Sequence, residues 1–518
     1  MTPATSSPWS DENPVRTGTP VAADLTCDVC VVGGGIAGLT TAYLLAGEGK
    51  KVAVLDSKGA VAGGETEYTT AHLAWVLDDR FARLASIRGD DVAKAAADSH
   101  RRAIDLIGEV VAREKIECGF KRVDGFLFPG TDGPAVIEEE EKALKRLGIP
   151  YELAVLPFAS PHAGPVLRFA GNAQFHPLKY LGELAGLIRK RGGTIHTGTH
   201  VVKVESGSPC RVHTKDGRTV TAGAVVVATN SPFDAGVTLH VKMAAYTTYA
   251  FAAPVPAGTV PAALYWDTED PYHYVRTQPP AQGVPRQAGA TGRGRTTDAG
   301  ALLIVGGEDH KTGQADDQAD RWARLIGWAR DRFPGLGEVQ HRWSGQVFET
   351  PDGLGLIGRA PGGRDNEYVI TGDSGMGLTH GTLGARLVAD LVMGRANDLA
   401  GVYNPSRWMP GAAKTFLKEN LNLAAQYADW LTGGDVKSAE HIPPGHGAIV
   451  RSGLTKLAVY RDDKGKVHSM SATCPHMGGV VRWNPGEQTW DCPCHGSRFG
   501  CEGNVLHGPA VEGLAPAK

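Results

Sequence analysis

The stretch DVCVVGGGIAGLTTAYLLAGEGKKVAVLDS, residues 28–57, constrains the fold of this chain more than any other. It reads as an apolar strand, a glycine turn, a helix of good formers and a second apolar strand ending in an acid. Gly33, Gly35 and Gly38 form GxGxxG, and Asp56 follows Gly33 by 23 residues. Each part has a physical task. The first glycine makes the tight turn, the second admits a pyrophosphate to the helix N-terminus, the third lets helix and sheet approach, and the acid takes ribose hydroxyls. A chain built on this βαβ unit forms an α/β domain around a parallel sheet and binds a dinucleotide. The fingerprint does not choose between FAD and NAD.

At 518 residues the chain exceeds the size of one hydrophobic core, so two or three domains are expected. Residues 1–24, rich in Pro, Ser and Thr, read as a flexible or surface-hugging leader. Residues 25–410 read as one discontinuous unit. Its nucleotide-binding parts lie at about 25–90, 170–240 and 350–400, with an inserted, mostly antiparallel α+β substrate domain at about 90–170 and 240–350. A helical connector at 411–434 leads to a small all-β domain at 435–518. The run EEEEK, Glu138 to Lys142, reads as a solvated helix face. Cys27 and Cys30 match CxxC, but they sit inside the first apolar strand, where core packing explains them better than a metal.

The 53 Lys plus Arg nearly balance the 56 Asp plus Glu, which removes the electrostatic case for nucleic acid or an anionic membrane surface. No apolar run approaches the roughly 20 residues that span a bilayer, and the first residues lack the pattern of a signal peptide. The expected location is the cytoplasm. Eight Cys in so long a chain are too sparse for a disulfide scaffold, and a reducing compartment favours metal binding for any cluster among them.

Such a cluster exists in CPHMGGVVRWNPGEQTWDCPCHGSRF. Cys474 and His476 form C-x-H, and Cys492 and His495 form C-x-x-H fifteen residues later. This is the spacing of a Rieske 2Fe-2S centre, with two Cys on one iron and two His on the other. A zinc site could use the same four residues. Neutral imidazoles in place of two thiolates raise the potential, so such a cluster is built to receive electrons.

Further segments carry a family resemblance. GGETEYTTAHL, VVVATNS and TGDSGMGLTHG resemble the flavin-lining segments of the D-amino-acid oxidase and glycine oxidase (DAO) family. FHPLKYLGELA, VGGEDHKTGQ and HRWSGQVFETPDGLGLIG are similar to the branch of that family with a C-terminal iron-sulfur domain. The resemblance implies FAD. It places Val202 on the adenine side, brings Thr69, Thr70 and Ala71 to the isoalloxazine, and closes Gly375, Met376, Gly377 and Leu378 over it. Some relatives attach flavin through a Trp-His pair where Tyr68-Thr69 stands here, so the FAD is expected to be non-covalent. Ser497 resembles a serine that hydrogen-bonds a bridging sulfide. Cys494 matches one half of a Rieske disulfide whose partner position is Gly479, so that staple cannot form.

A flavin takes two electrons and a 2Fe-2S cluster carries one, so the pair forms a two-to-one converter. The family oxidises amines and amino acids at the carbon next to nitrogen. The expected enzyme is a dehydrogenase that passes electrons from FAD to its own cluster and on to an external protein or quinone. A second GxGxxG for NAD(P)H is not visible. Two alternatives stay open: a flavin monooxygenase or reductase supplied through the cluster, and a redox module without its own substrate. Candidate catalytic groups are Arg276, which could clamp a carboxylate through its planar fork, His310 and His380. Candidates for the substrate wall lie in YWDTEDPYHYVR, Tyr265 to Arg276, where Tyr272 and Tyr274 share one face of a strand and His273 takes the other.

Overall fold

The continuous apolar runs assemble a sheet that is covered on both faces, as such runs require. A computed structural model describes residues 6–10, 17–234, 237–279 and 300–517. In it Leu25–Val32 is central, with Thr219–Asn230 on one side and Val52–Leu55 on the other, all parallel. Glu367–Thr371 and then Leu356–Arg359 extend the first edge, and Thr194–His196 the second. Helices Ile36–Gly47 and Gly377–Val392 pack on this sheet and on each other. Cys30 is fully buried in the central strand and Cys27 half-buried.

The second sheet is mostly antiparallel. It runs in the order His341–Glu349, Ala244–Val255, Ala301–Lys311, His273–Gln278, Leu264–Asp267, Lys121–Phe128, Val166–Gln174 and His72–Leu73. Lys121–Phe128 interrupts a stretch whose pattern is otherwise helical. Part of the expected substrate segment, residues 280–299, lies outside the described residues. The C-terminal part is all-β, with sheets of three and four strands between His446 and His507. Among the described residues no helix is long and apolar enough to cross a membrane.

Two local expectations are corrected. Glu140, inside the acidic run, is fully buried. Its carboxylate accepts from the amides of Phe81 and Ala82 at 2.9 and 2.8 Å, capping the orphan N–H groups that start helix Phe81–Arg88. A helix terminus elsewhere in the chain recruits it, and helical periodicity carries no sign of that. The leader, where described, is part of the fold. Trp9 is 1 % exposed and donates to Thr69 O at 2.6 Å, Ser6 bridges Arg342, and Thr17 bridges Ala60. Residues 1–5 and 11–16 lie outside the described residues.

Candidate active site and metal centre

The fingerprint folds as its chemistry demands. Gly33 holds φ +110, and a side chain there would strike the Ala228 carbonyl. At Gly38 a Cβ would overlap the Gly33 carbonyl, so the helix could not approach. Asp56 sits at the end of its strand, accepting from Gly34 N at 2.6 Å and Lys58 N at 2.7 Å. Burial raises its pKa against those hydrogen bonds. From this turn a cavity of about 380 Å³ runs past Thr69 and Thr70 to Tyr272 and Tyr274, and Gly375, Met376, Gly377 and Leu378 also line it. The glycine cradle, the helix N-terminus, the acid and the length of the groove all fit FAD.

Three expected positions shift. Val201, not Val202, reaches the cavity wall, because neighbouring residues on strand Val201–Glu205 point to opposite faces. Ala71 lies one layer behind, fully buried, while Thr69 and Thr70 are on the wall. Arg276 does not line the cavity. It is fully buried, its Nη1 donates to Ala71 O at 2.7 Å, and its other end meets Gln278. The strand directs it to the back of the Thr70–Ala71 loop, where backbone carbonyls take up its donors.

Both histidine candidates have their two ring nitrogens engaged by protein groups. His310 bonds Tyr249 Oη and Lys311 O, each at 2.8 Å, and it is absent from the cavity wall. His380 reaches the wall, but its Nδ1 meets Asp373 O at 2.7 Å and its Nε2 accepts from Gly355 N at 3.2 Å. Burial holds its pKa down to about 4. His72 also lines the cavity, with Nδ1 on Thr70 Oγ1 at 3.1 Å.

At the far end Tyr272 and Tyr274, which the sequence singles out, meet Asp78 and Asp309, which sequence reasoning passed over. Tyr272 Oη donates to Asp78 at 3.1 Å, and Tyr274 shares a 2.9 Å bond with Thr248. Asp309 lines the same chamber, and its Oδ1 has no partner. Desolvation pushes Asp78 up to about 7 and Asp309 up to about 6. Glu349 beside them goes up to about 8 through burial and then through Asp78. Among the described residues no arginine lines the cavity. His273 turns the other way, onto Asp267 at 2.9 Å and over the Trp328 ring.

The two cluster loops converge. Cys474 N donates to Gly479 O and Cys492 N to Ser497 O, both at 2.8 Å, and the Cys474 and Cys492 thiols are within hydrogen-bonding reach of each other. The His476 and His495 rings lie 5.0 Å apart. The Nδ1 atoms of both are buried without a partner, as expected of donors kept for a metal. This set of two thiols and two imidazoles fits a 2Fe-2S cluster. Ser497 reaches Cys474, and a Cβ at Gly479 would stand 2.5 Å from Cys494 Sγ. All eight cysteines are free.

The two centres share a border. His240 lays its ring 4.5 Å from His476 and 5.4 Å from His495. Gln346 lines the dinucleotide cavity and donates through Nε2 to Gly496 O at 2.8 Å, next to His495. Residues 505–508 and 510–511 of the C-terminal domain also line that cavity. No sequence signal reveals these contacts, since they join segments with no shared pattern.

Comparison with known proteins agrees with both halves. The FAD dependent oxidoreductase (DAO) family profile matches residues 28–391, and the Rieske [2Fe-2S] domain profile matches residues 434–517. The Bacillus subtilis (strain 168) protein YhfW, named for a Rieske 2Fe-2S iron-sulfur protein, is 29% identical over 517 residues, covering 98% of this chain and 96% of its own. Gamma-glutamylputrescine oxidoreductase of Escherichia coli (strain K12) is 27% identical over 408 residues, covering 75% of this chain and 88% of its own. Glycine oxidase from Geobacillus kaustophilus superposes with a TM-score of 0.57 at 21% identity, over 74% of this chain and 100% of its own. The chain belongs to the DAO family of FAD-dependent oxidoreductases and carries a Rieske 2Fe-2S domain behind that core.

Proposed function

We propose that this cytoplasmic enzyme oxidises a small amine or amino acid at the carbon next to nitrogen, and passes the electrons through its own cluster to an external protein or quinone. The observation that carries the reading is Gln346, which touches the flavin cavity on one side and the residue beside a cluster ligand on the other. A short internal route of this kind suits transfer from flavin to cluster. Bound FAD supplies the two-electron acceptor.

The rest is the work of side chains. Asp78 and Asp309 lie where a substrate ammonium would enter, and as carboxylates they attract it and take its proton. Tyr272 and Tyr274 wall the substrate between them and the closing loop Gly375–Leu378. Oxidation releases an imine, which water hydrolyses. The acidic chamber, with Arg276 turned away, favours amines over substrates that need a carboxylate clamp.

Anaerobic mixing with a panel of amines and amino acids tests this. The flavin should bleach first, and the cluster signal should follow. In Gln346→Leu the first step should persist and the second slow. Rapid reduction by NADPH alone, or incorporation of labelled oxygen from the gas, would overturn it.

A further inference from the structure

One wall of the FAD cavity, from the Asp56 end to Tyr68, is supplied by the Rieske domain. Lys58, two residues beyond Asp56, donates from Nζ to Leu506 O. His507 Nδ1 lies 3.0 Å from Glu65 Oε1, and its ring stands edge-on to Tyr68. The His200 ring bonds the Val511 backbone. At the rim, Lys215 and Glu512 pair at 3.1 Å. The residues on the facing side belong to the nucleotide seat: Asp56 accepts from Thr199 N through its backbone carbonyl at 2.8 Å, and Thr199, His200 and Val201 line the cavity with it.

We infer that the FAD site is composite, and that FAD binding and docking of the Rieske domain are one linked equilibrium. A cofactor enclosed between two bodies holds them together by as much as their docking holds it. His507 is the central contact. It is half-buried between the Glu65 carboxylate and Tyr68 on the cavity wall, so it belongs to the cofactor seat although it lies in the domain that carries the cluster. Residues 431–435 of the connector are all exposed, which makes them the part of the link open to a protease.

The test uses the full chain. Apoprotein is titrated with FAD by fluorescence in wild type, His507→Ala and Glu512→Lys, with the cluster resonance as the control for an intact Rieske domain. His507→Ala should weaken FAD binding at least tenfold. Glu512→Lys, which only places like charges together at the exposed rim, should weaken it several-fold in a salt-dependent way. In parallel, FAD should slow cleavage of the connector by a broad-specificity protease in wild type, and much less in His507→Ala. FAD affinity within twofold of wild type in both variants, or connector cleavage indifferent to FAD in wild type, would overturn the inference.

Discussion

Replacing Arg276 by Met separates a scaffold role from a substrate clamp. The guanidinium is wholly buried and donates to Ala71 O at 2.7 Å. It lies 5.5 Å from the Trp9 ring, and no carboxylate pairs with it among the described residues, so burial draws its pKa down to about 9. Ala71 stands at φ 59, which an L-residue adopts only under constraint. Met fills the volume but donates nothing. Losing a charged hydrogen bond costs about 1.5–3 kcal/mol, and a stranded carbonyl about 1–3 kcal/mol more. Relief from burying an unpaired charge returns about 1–3 kcal/mol. The net loss is about 2 kcal/mol, centred on the Thr69–Ala71 loop against the flavin. Thermal unfolding of the holoprotein should fall, FAD should leave more easily, and KM for amines and amino acids should change together. Unchanged stability, with KM for an amino acid raised about a hundredfold and KM for an amine untouched, would show that Arg276 clamps a carboxylate.

Three further outcomes are expected. His476→Ala or His495→Ala should abolish the rhombic Rieske resonance while FAD absorbance persists, and stoichiometric zinc without iron in the wild type would refute the cluster assignment. Denaturation should release FAD without proteolysis, because Tyr68 and Thr69 occupy the attachment positions, and flavin left on the precipitated chain would refute that. Flavin bleaching by an amine should rise with pH through about 6–7, where Asp309 and Asp78 ionise, and Asp78→Asn should flatten the rise. The stability effect has the opposite sign. These folded-state values lie above those of an unfolded carboxyl, so their contribution is whole at low pH and is lost as the pH rises through about 6–7.

What could be read beforehand was local. The turn at Gly33 to Gly38 and the four cluster ligands state their chemistry within a few residues, so both centres were legible, along with the interrupted α/β core. Contacts made across the fold were not. Trp9 has no periodic context, yet it lies under Thr69. Glu140 belongs to an acidic run, but a helix N-terminus claims it. Arg276 shares its strand face with Tyr272 and Tyr274 but lies beyond the chamber wall, and alternation alone does not say which carbonyl waits there. Asp78, Asp309 and Gln346 come from three distant segments, and only the closed sheets bring them to one chamber.

The strand order of the first sheet also dictates how the enzyme is made. Leu25–Val32 leaves the ribosome early, but its neighbour Thr219–Asn230 comes much later, and Glu367–Thr371 later still. At about 5–20 residues per second, the fingerprint strand waits on the order of tens of seconds with the edge that Thr219–Asn230 takes still unpaired. Another wall of the cofactor seat, residues 505–508 and 510–511, is translated far later than the fingerprint. A nascent chain therefore cannot enclose FAD until those residues have emerged, and the interval before that is when chaperones have most to protect.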